Sequence, residues 1–254
     1  MTDSSWSRIF DQVHFVLVAP SHPGNIGASA RAMKTMGFNR LVLVSPKHYP
    51  CAEATARAAG ADDILAVAQV VPSLAEAVSS CSLVIGATAR RRALQCPVLG
   101  PRQLAELLME RTAQTRCAIV FGREHAGLTN EELDRCHYAV NIPANPDYSS
   151  LNLAAAVQII GYELRAFAES ARPSLNPEPG PVVEPATAED LDLYIEHLYR
   201  ALVHVGFIDP ERPGQVMRRL RILFNRAAVN KTELKLLRGW LTATQKLKRS
   251  RPAA

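Results

Sequence analysis

Short, unbroken apolar runs constrain this chain most: VHFVLVAP (Val13 to Pro20), RLVLV (Arg40 to Val44), SLVIG from Ser82, CAIVF (Cys117 to Phe121) and YAVNI (Tyr138 to Ile142). None alternates apolar with polar residues as a strand with one wet face must, so each predicts a strand buried on both faces. Between them lie helical stretches. Ala28 to Gly37 ends on a glycine stop, Ser73 caps another, and Pro101 opens Pro101 to Arg111 at a turn where proline is tolerated. Cys51 to Ala59 is also helical, Ala66 to Val71 is a further apolar run, and Thr129 with Glu132 forms a capping box. Strand and helix in alternation predict an α/β domain, a parallel sheet covered on both faces.

After Ala171 the pattern breaks. RPSLNPEPGPVVEPATAED has no periodic apolar face and reads as a semi-extended linker. Thr187 then caps LDLYIEHLYRALVHVGF, and helices follow at roughly Gln215 to Arg226 and Thr232 to Leu247. The predicted organisation is an α/β domain over 1–170, a linker over 171–188 and an all-helical extension over 189–254, too small for a strong core of its own.

Charge follows the same division. Residues 1–170 hold 15 basic and 15 acidic side chains, whereas 171–254 hold 14 basic and 9 acidic. From Pro213 onward there are 11 basic residues and one acidic residue, Glu233. Such a tail favours a polyanionic partner. The five cysteines are scattered and never form a CxxC pair, which argues against a disulfide framework and a zinc site. No run is long and apolar enough to span a bilayer, and MTDSSWSRIFDQ lacks the pattern of a signal peptide. A reducing cytoplasm is the expected setting, with no metal and no membrane.

Three strand ends carry polar loops. Ser21 to Gly27 joins the first strand to its helix and predicts an anion or nucleotide site, with Arg31 near the first helical turn. It is neither GxGxxG nor a Gly-Lys-Ser/Thr loop, so neither a dinucleotide nor a nucleoside triphosphate is supported. FGREHAGL (Phe121 to Leu128) places Arg123 and Glu124 between Gly122 and Gly127, and Gly122 would admit a ligand to the backbone. GATAR (Gly86 to Arg90) holds an equivalent position. The fourth piece, IPANPDYSSLNLAAAVQII, is a proline-punctuated loop feeding a long apolar helix for which Ser149 or Ser150 is the expected N-cap. Ligands of open α/β sheets bind at carboxyl strand ends, so these loops predict one composite site.

HPGNIGASARAMKTMGF, IVFGREHAGL and IPANPDYSSLNLAAAVQI resemble, in order, the three signature motifs of the SPOUT superfamily of S-adenosylmethionine-dependent RNA methyltransferases. The resemblance covers about residues 13–168. It is nearest to the TrmJ-type tRNA 2'-O-methyltransferases, which also carry a helical extension after a linker.

This resemblance implies a trefoil-knotted α/β domain and a homodimer with its active sites at the subunit interface. The cofactor would lie against Ala87, Thr88, Ala89, Gly122, Ile142, Ser149, Ser150, Leu151 and Asn152. Catalysis would involve Arg31, Asn25, Glu124 and Ser150, with Arg31 reaching the other subunit's pocket. The substrate would be tRNA, at the ribose of nucleotide 32 in the anticodon loop. Ribosomal RNA, or RNA binding without catalysis, are the alternatives. RNA phosphates would meet Arg31, Arg90, Arg91, Arg92, Arg218, Arg219 and Arg221.

Overall fold

The fold is described here from a computed structural model, over residues 9–89, 96–111, 115–170, 184–211 and 215–246. Seven strands form one parallel sheet: β1 (Val13–Val18), β2 (Arg40–Val44), β3 (Gln69–Val71), β4 (Leu83–Ala87), β5 (Val98–Leu99), β6 (Cys117–Phe121) and β7 (Tyr138–Val140), in the order β3-β2-β1-β6-β4-β7-β5. The interleaved helices are α1 (Pro23–Met36), α2 (Ala52–Ala58), α3 (Asp62–Ala66), α4 (Leu74–Val78), α5 (Pro101–Arg111), α6 (Asn130–Leu133) and α7 (Leu153–Ser170). Three helices follow: α8 (Ala188–His204), α9 (Val216–Ala227) and α10 (Lys231–Lys246).

The unbroken apolar runs are explained by the two faces they fill. Phe15, Leu17, Leu41, Leu43, Ile85, Ile119 and Phe121 face one side, packing under α1, α5 and α7. Their neighbours Val16, Val18, Val42, Val44, Val84, Ala118 and Val120 face the other, with Leu74 and Val78 of α4 and Leu133 of α6. The strands thus turn mainly Phe, Leu and Ile to one face and mainly Val and Ala to the other.

Local signals placed several elements well. Ser73 accepts from the Glu76 N–H, and the Thr129/Glu132 and Thr187/Asp190 capping boxes are formed on both sides. Two helix starts differ from expectation. α1 begins at Pro23, not Ala28, with Pro at its first turn and His22 as N-cap, so Gly24 and Gly27 are helical and not loop residues. Gly27 is needed for packing: a Cβ there would come 2.0 Å from the Ala54 carbonyl oxygen of α2. Arg31 consequently lies more than two turns into the helix. α7 begins at Leu153, and its cap is Asn152, whose Oδ1 accepts from Ala154 N (2.9 Å), not Ser149 or Ser150. α3 and β5 are further elements without a clear sequence signal.

The last three helices bury Tyr194, Leu198, Leu234 and Leu241 together and seat against the α/β body. The first turn of α8 donates from Ala188 N to Cys81 O (2.8 Å) and from Glu189 N to Ser79 O (3.2 Å). Around α9, Arg218 pairs with Asp134, Arg221 with Asp192 (2.6 Å), and Arg135 with the same Asp192 (2.9 Å). Asn225, 4% exposed, donates to Asp134 O at 2.7 Å. Two of the tail arginines nominated for RNA phosphates, Arg218 and Arg221, are therefore engaged within the molecule. Arg219 is exposed. The triple Arg90, Arg91, Arg92 and most of the Pro-rich segment lie outside the described residues.

Candidate functional site

An open cleft of about 910 Å³, counting the solvent at its mouth, lies at the carboxyl ends of β4, β6 and β7. Ala87, Thr88 and Ala89 enter from β4, Gly122 to Leu128 from the loop after β6, and Ile142, Ser149, Ser150 and Leu151 from the loop before α7. Of the residues expected to hold a cofactor, all but Asn152 line it. Arg123, His125, Ala126 and Leu128 line it too. Arg123 was already marked in the sequence by the glycines on either side of it, whereas His125, Ala126 and Leu128 had only their place in FGREHAGL as a signal.

Gly122 serves the loop before it serves any ligand. A Cβ there would lie 2.1 Å from the Gly127 carbonyl carbon and 2.3 Å from Leu128 N. Without one, the backbone doubles back so that Arg123 and Gly127 exchange hydrogen bonds (Arg123 N to Gly127 O 3.2 Å, Gly127 N to Arg123 O 2.8 Å). Gly127 has φ +67, a left-handed conformation that suits glycine. Arg123 pairs with Glu132 through two 3.0 Å hydrogen bonds, not with its neighbour Glu124.

That leaves Glu124 free for a different task. Its carboxylate accepts from Ser21 N (3.1 Å), Ser21 Oγ (2.9 Å), His22 N (3.2 Å) and Asn25 Nδ2 (3.2 Å), closing the amino end of α1. Helix N-termini present unpaired N–H groups and partial positive charge, and here a carboxylate 100 residues away answers both. Burial works to raise its pKa. The N–H groups of Glu124 itself and of Ser21, the Asn25 amide and the His22 N–H outweigh it and bring the value down to about 2. Asn25 Oδ1 in turn accepts from Asn152 Nδ2 (2.9 Å), and Asn152 caps α7. One chain of hydrogen bonds thus joins the starts of α1 and α7 to the loop after β6. Ser21 opens the loop that the sequence marks as an anion site, without being singled out there, and the anion it holds is the protein's own Glu124.

Arg31 does not line this cleft. It is exposed on α1, its carbonyl accepting from Thr35 Oγ at 2.9 Å. Among the described residues no group of three or more His, Cys, Asp and Glu could hold a metal ion. No helix among them is long and apolar enough to cross a membrane.

Residues 12–162 match the profile of the SpoU rRNA methylase family, and residues 189–253 match that of the C-terminal domain of the tRNA methyltransferase TrmJ. The chain belongs to the SpoU methylase family, in its TrmJ branch. It is 49% identical to the tRNA (cytidine/uridine/adenosine-2'-O-)-methyltransferase TrmJ of Pseudomonas aeruginosa, with 95% of this chain and 96% of that one aligned. It is 46% identical to the tRNA (cytidine/uridine-2'-O-)-methyltransferase TrmJ of Cronobacter sakazakii, over 96% of this chain and all of the other. The crystal structure of TrmJ from Z. mobilis ZM4 superposes with a TM-score of 0.80 at 35% identity, covering 92% of this chain and 99% of that one. The TrmJ likeness therefore includes the helical tail as well as the sheet.

Proposed function

We propose that this chain transfers a methyl group from S-adenosylmethionine to the ribose 2'-oxygen of tRNA, at nucleotide 32 of the anticodon loop, as a cytoplasmic homodimer on a knotted SPOUT fold. The observation that carries the reading is the composite cleft at three strand ends, in a chain that matches TrmJ-type tRNA methyltransferases over almost its whole length. The cleft suits an adenosyl ligand. Leu128, Val140, Ile142 and Leu151 offer apolar wall, the small Ala87, Ala89 and Gly122 leave backbone groups within reach, and Thr88, Ser149 and Ser150 add hydroxyls. When bound, the sulfonium supplies an already activated methyl group.

The protein must then align the 2'-hydroxyl and deal with its proton. Glu124 is a poor acceptor at neutral pH, because a carboxylate with a pKa of about 2, already receiving four hydrogen bonds, has little basicity left. Arg31 is no better, since a guanidinium holds its proton firmly and offers no lone pair to accept another. Arg31 instead clamps the adjoining phosphate and stabilises the developing alkoxide, and the proton passes to that phosphate or to water. Because Arg31 lies outside its own cleft, this reading has it serve the cleft of the second subunit. Asn25 and Asn152 hold the loops in register, and Ser150 faces the reacting ribose.

The test is transfer of labelled methyl into unmodified tRNA, with the modified nucleoside mapped. Wild type is expected to give a 2'-O-methylated nucleotide 32, and Arg31→Ala to lose at least about 100-fold in kcat. Transfer into ribosomal RNA alone would move the substrate. Absence of both transfer and cofactor binding would remove the enzyme reading.

A further inference from the structure

α10 carries an apolar stripe that nothing among the described residues covers. Leu236, Gly239, Trp240 and Ala243 stand at i, i+3, i+4 and i+7, which places them on one helical face, and all four are exposed. Leu236 is 72% and Trp240 64% exposed, and a Cβ built on Gly239 meets nothing within 4 Å. The opposite face of the same helix, Leu234 and Leu241, packs on α8 and is 4% exposed at each. Two large apolar side chains exposed side by side on one helical face mark a contact surface.

The charge beside the stripe selects the occupant. Lys235, Arg238 and Lys246 follow the adjacent ridge and make no ion pair among the described residues. Glu233 is the helix's one acidic residue. It sits in the first turn, its backbone N–H donating to Asn230 Oδ1 (2.9 Å) and its carboxylate accepting from Asn230 N (2.8 Å). A second copy docked on a two-fold axis would set this cationic ridge against itself. An anionic chain carrying flat unpaired bases suits both halves of the surface, the bases on the indole and the phosphates on the ridge.

We propose that this face of α10 is a single-stranded RNA contact, in which Trp240 stacks on an unpaired tRNA base while Lys235, Arg238 and Lys246 hold the neighbouring phosphates. The inference rests on the tRNA substrate reading and locates the tail's RNA-facing surface on α10. On α9, by contrast, Arg218 and Arg221 are occupied with Asp134 and Asp192. Arg219 is the remaining α9 candidate from the sequence.

The chain has two tryptophans, Trp6 and Trp240. In full-length protein carrying Trp6→Phe, all indole emission comes from Trp240. Titration with unmodified tRNA transcript is expected to quench it saturably, with the Kd that filter binding gives. Trp240→Ala should weaken tRNA binding about tenfold, and Trp240→Phe should restore most of the loss. Lys235→Ala with Arg238→Ala should lower the slope of log K against log salt by about two. The far-UV circular dichroism and melting temperature of Trp240→Ala should match wild type, as befits an exposed side chain. Unchanged emission on tRNA that filter binding shows to be bound would overturn the proposal and leave the methyltransferase reading intact. So would a Trp240→Ala variant that keeps its tRNA affinity but sediments as a smaller species, which would assign the stripe to a second copy. A wild type that binds no tRNA would overturn both.

Discussion

Glu124 shows how much one side chain can depend on donors distant in sequence. Its folded pKa, about 2, lies below the ordinary 4.5, so its stabilising contribution is complete above pH 4.5 and disappears as pH falls toward 2. Glu124→Gln should therefore flatten the dependence of stability on pH across that window in urea unfolding. It should also lower stability at pH 7, since a neutral amide answers the α1 terminus less well. If the two curves stay parallel from pH 4.5 to 2, the carboxylate is not the cap. Two histidines set the window above it. His137 is buried and its Nδ1 accepts from Val84 N (3.0 Å), a bond that only the neutral ring can make; burial first, with the Arg111 charge adding to it, pushes its pKa down to about 4. His14 reaches about 4 through burial and the charges of Arg116 and Arg40. Both stay neutral in the folded chain while the unfolded chain takes up protons below pH 6.5, so stability is present above pH 6.5 and falls progressively down to pH 4. His137→Asn offers Val84 a replacement acceptor that does not titrate. It should remove about half of the slope between pH 6.5 and 4, with His14 retaining the rest.

The elements show which structural decisions are local. Capping boxes and an N-cap serine involve residues three positions apart, so Ser73, Thr129/Glu132 and Thr187/Asp190 could be read in the sequence. The start of α1 could not. Two glycines in its first turns argue against helix, and the partner that satisfies the helix end, Glu124, follows β6, which lies beside β1 in the sheet but far from it in the sequence. Likewise Ser149 and Ser150 look like caps, but Asn152, tied to Asn25, holds that place. The cleft loops were legible because their small and polar residues interrupt apolar strands. The 2.1 Å approach behind Gly122 was not, since no one-dimensional pattern distinguishes a glycine that admits a ligand from one that admits its own chain. Gly27 provides the test at this scale. With a backbone carbonyl of α2 2.0 Å from the added methyl, Gly27→Ala must separate α1 from α2, and denaturant unfolding should show a loss of about 1–3 kcal/mol. A neutral result would mean that the two helices can slide apart without cost.

At the scale of the molecule, the extension is an attached part of the α/β body. The charge count pointed to a cationic tail, but charge alone does not say which cations are free. Asp134 and Asp192 lie where α9 lands and take up Arg218 and Arg221, while α10 keeps its basic ridge outward. This division suits the proposed RNA contact: one helix fastens the tail, and the next is left with its cations facing outward. Asp134 is central to the fastening, for it receives Arg218 through its carboxylate and the buried Asn225 amide through its backbone carbonyl. Replacing both partners, as Asp134→Ala with Asn225→Ala, should leave the sheet intact and release the tail. Hydrogen exchange in α9 and α10 should then rise by at least about tenfold, with β1 and β6 unchanged, because local openings report local contacts. Affinity for the isolated cofactor should be unaffected, since neither residue lines the cleft, while tRNA affinity should fall because the α10 surface is no longer held in place. Unchanged exchange in α9 would show instead that the α8 contacts with Ser79 and Cys81 are enough to seat the tail.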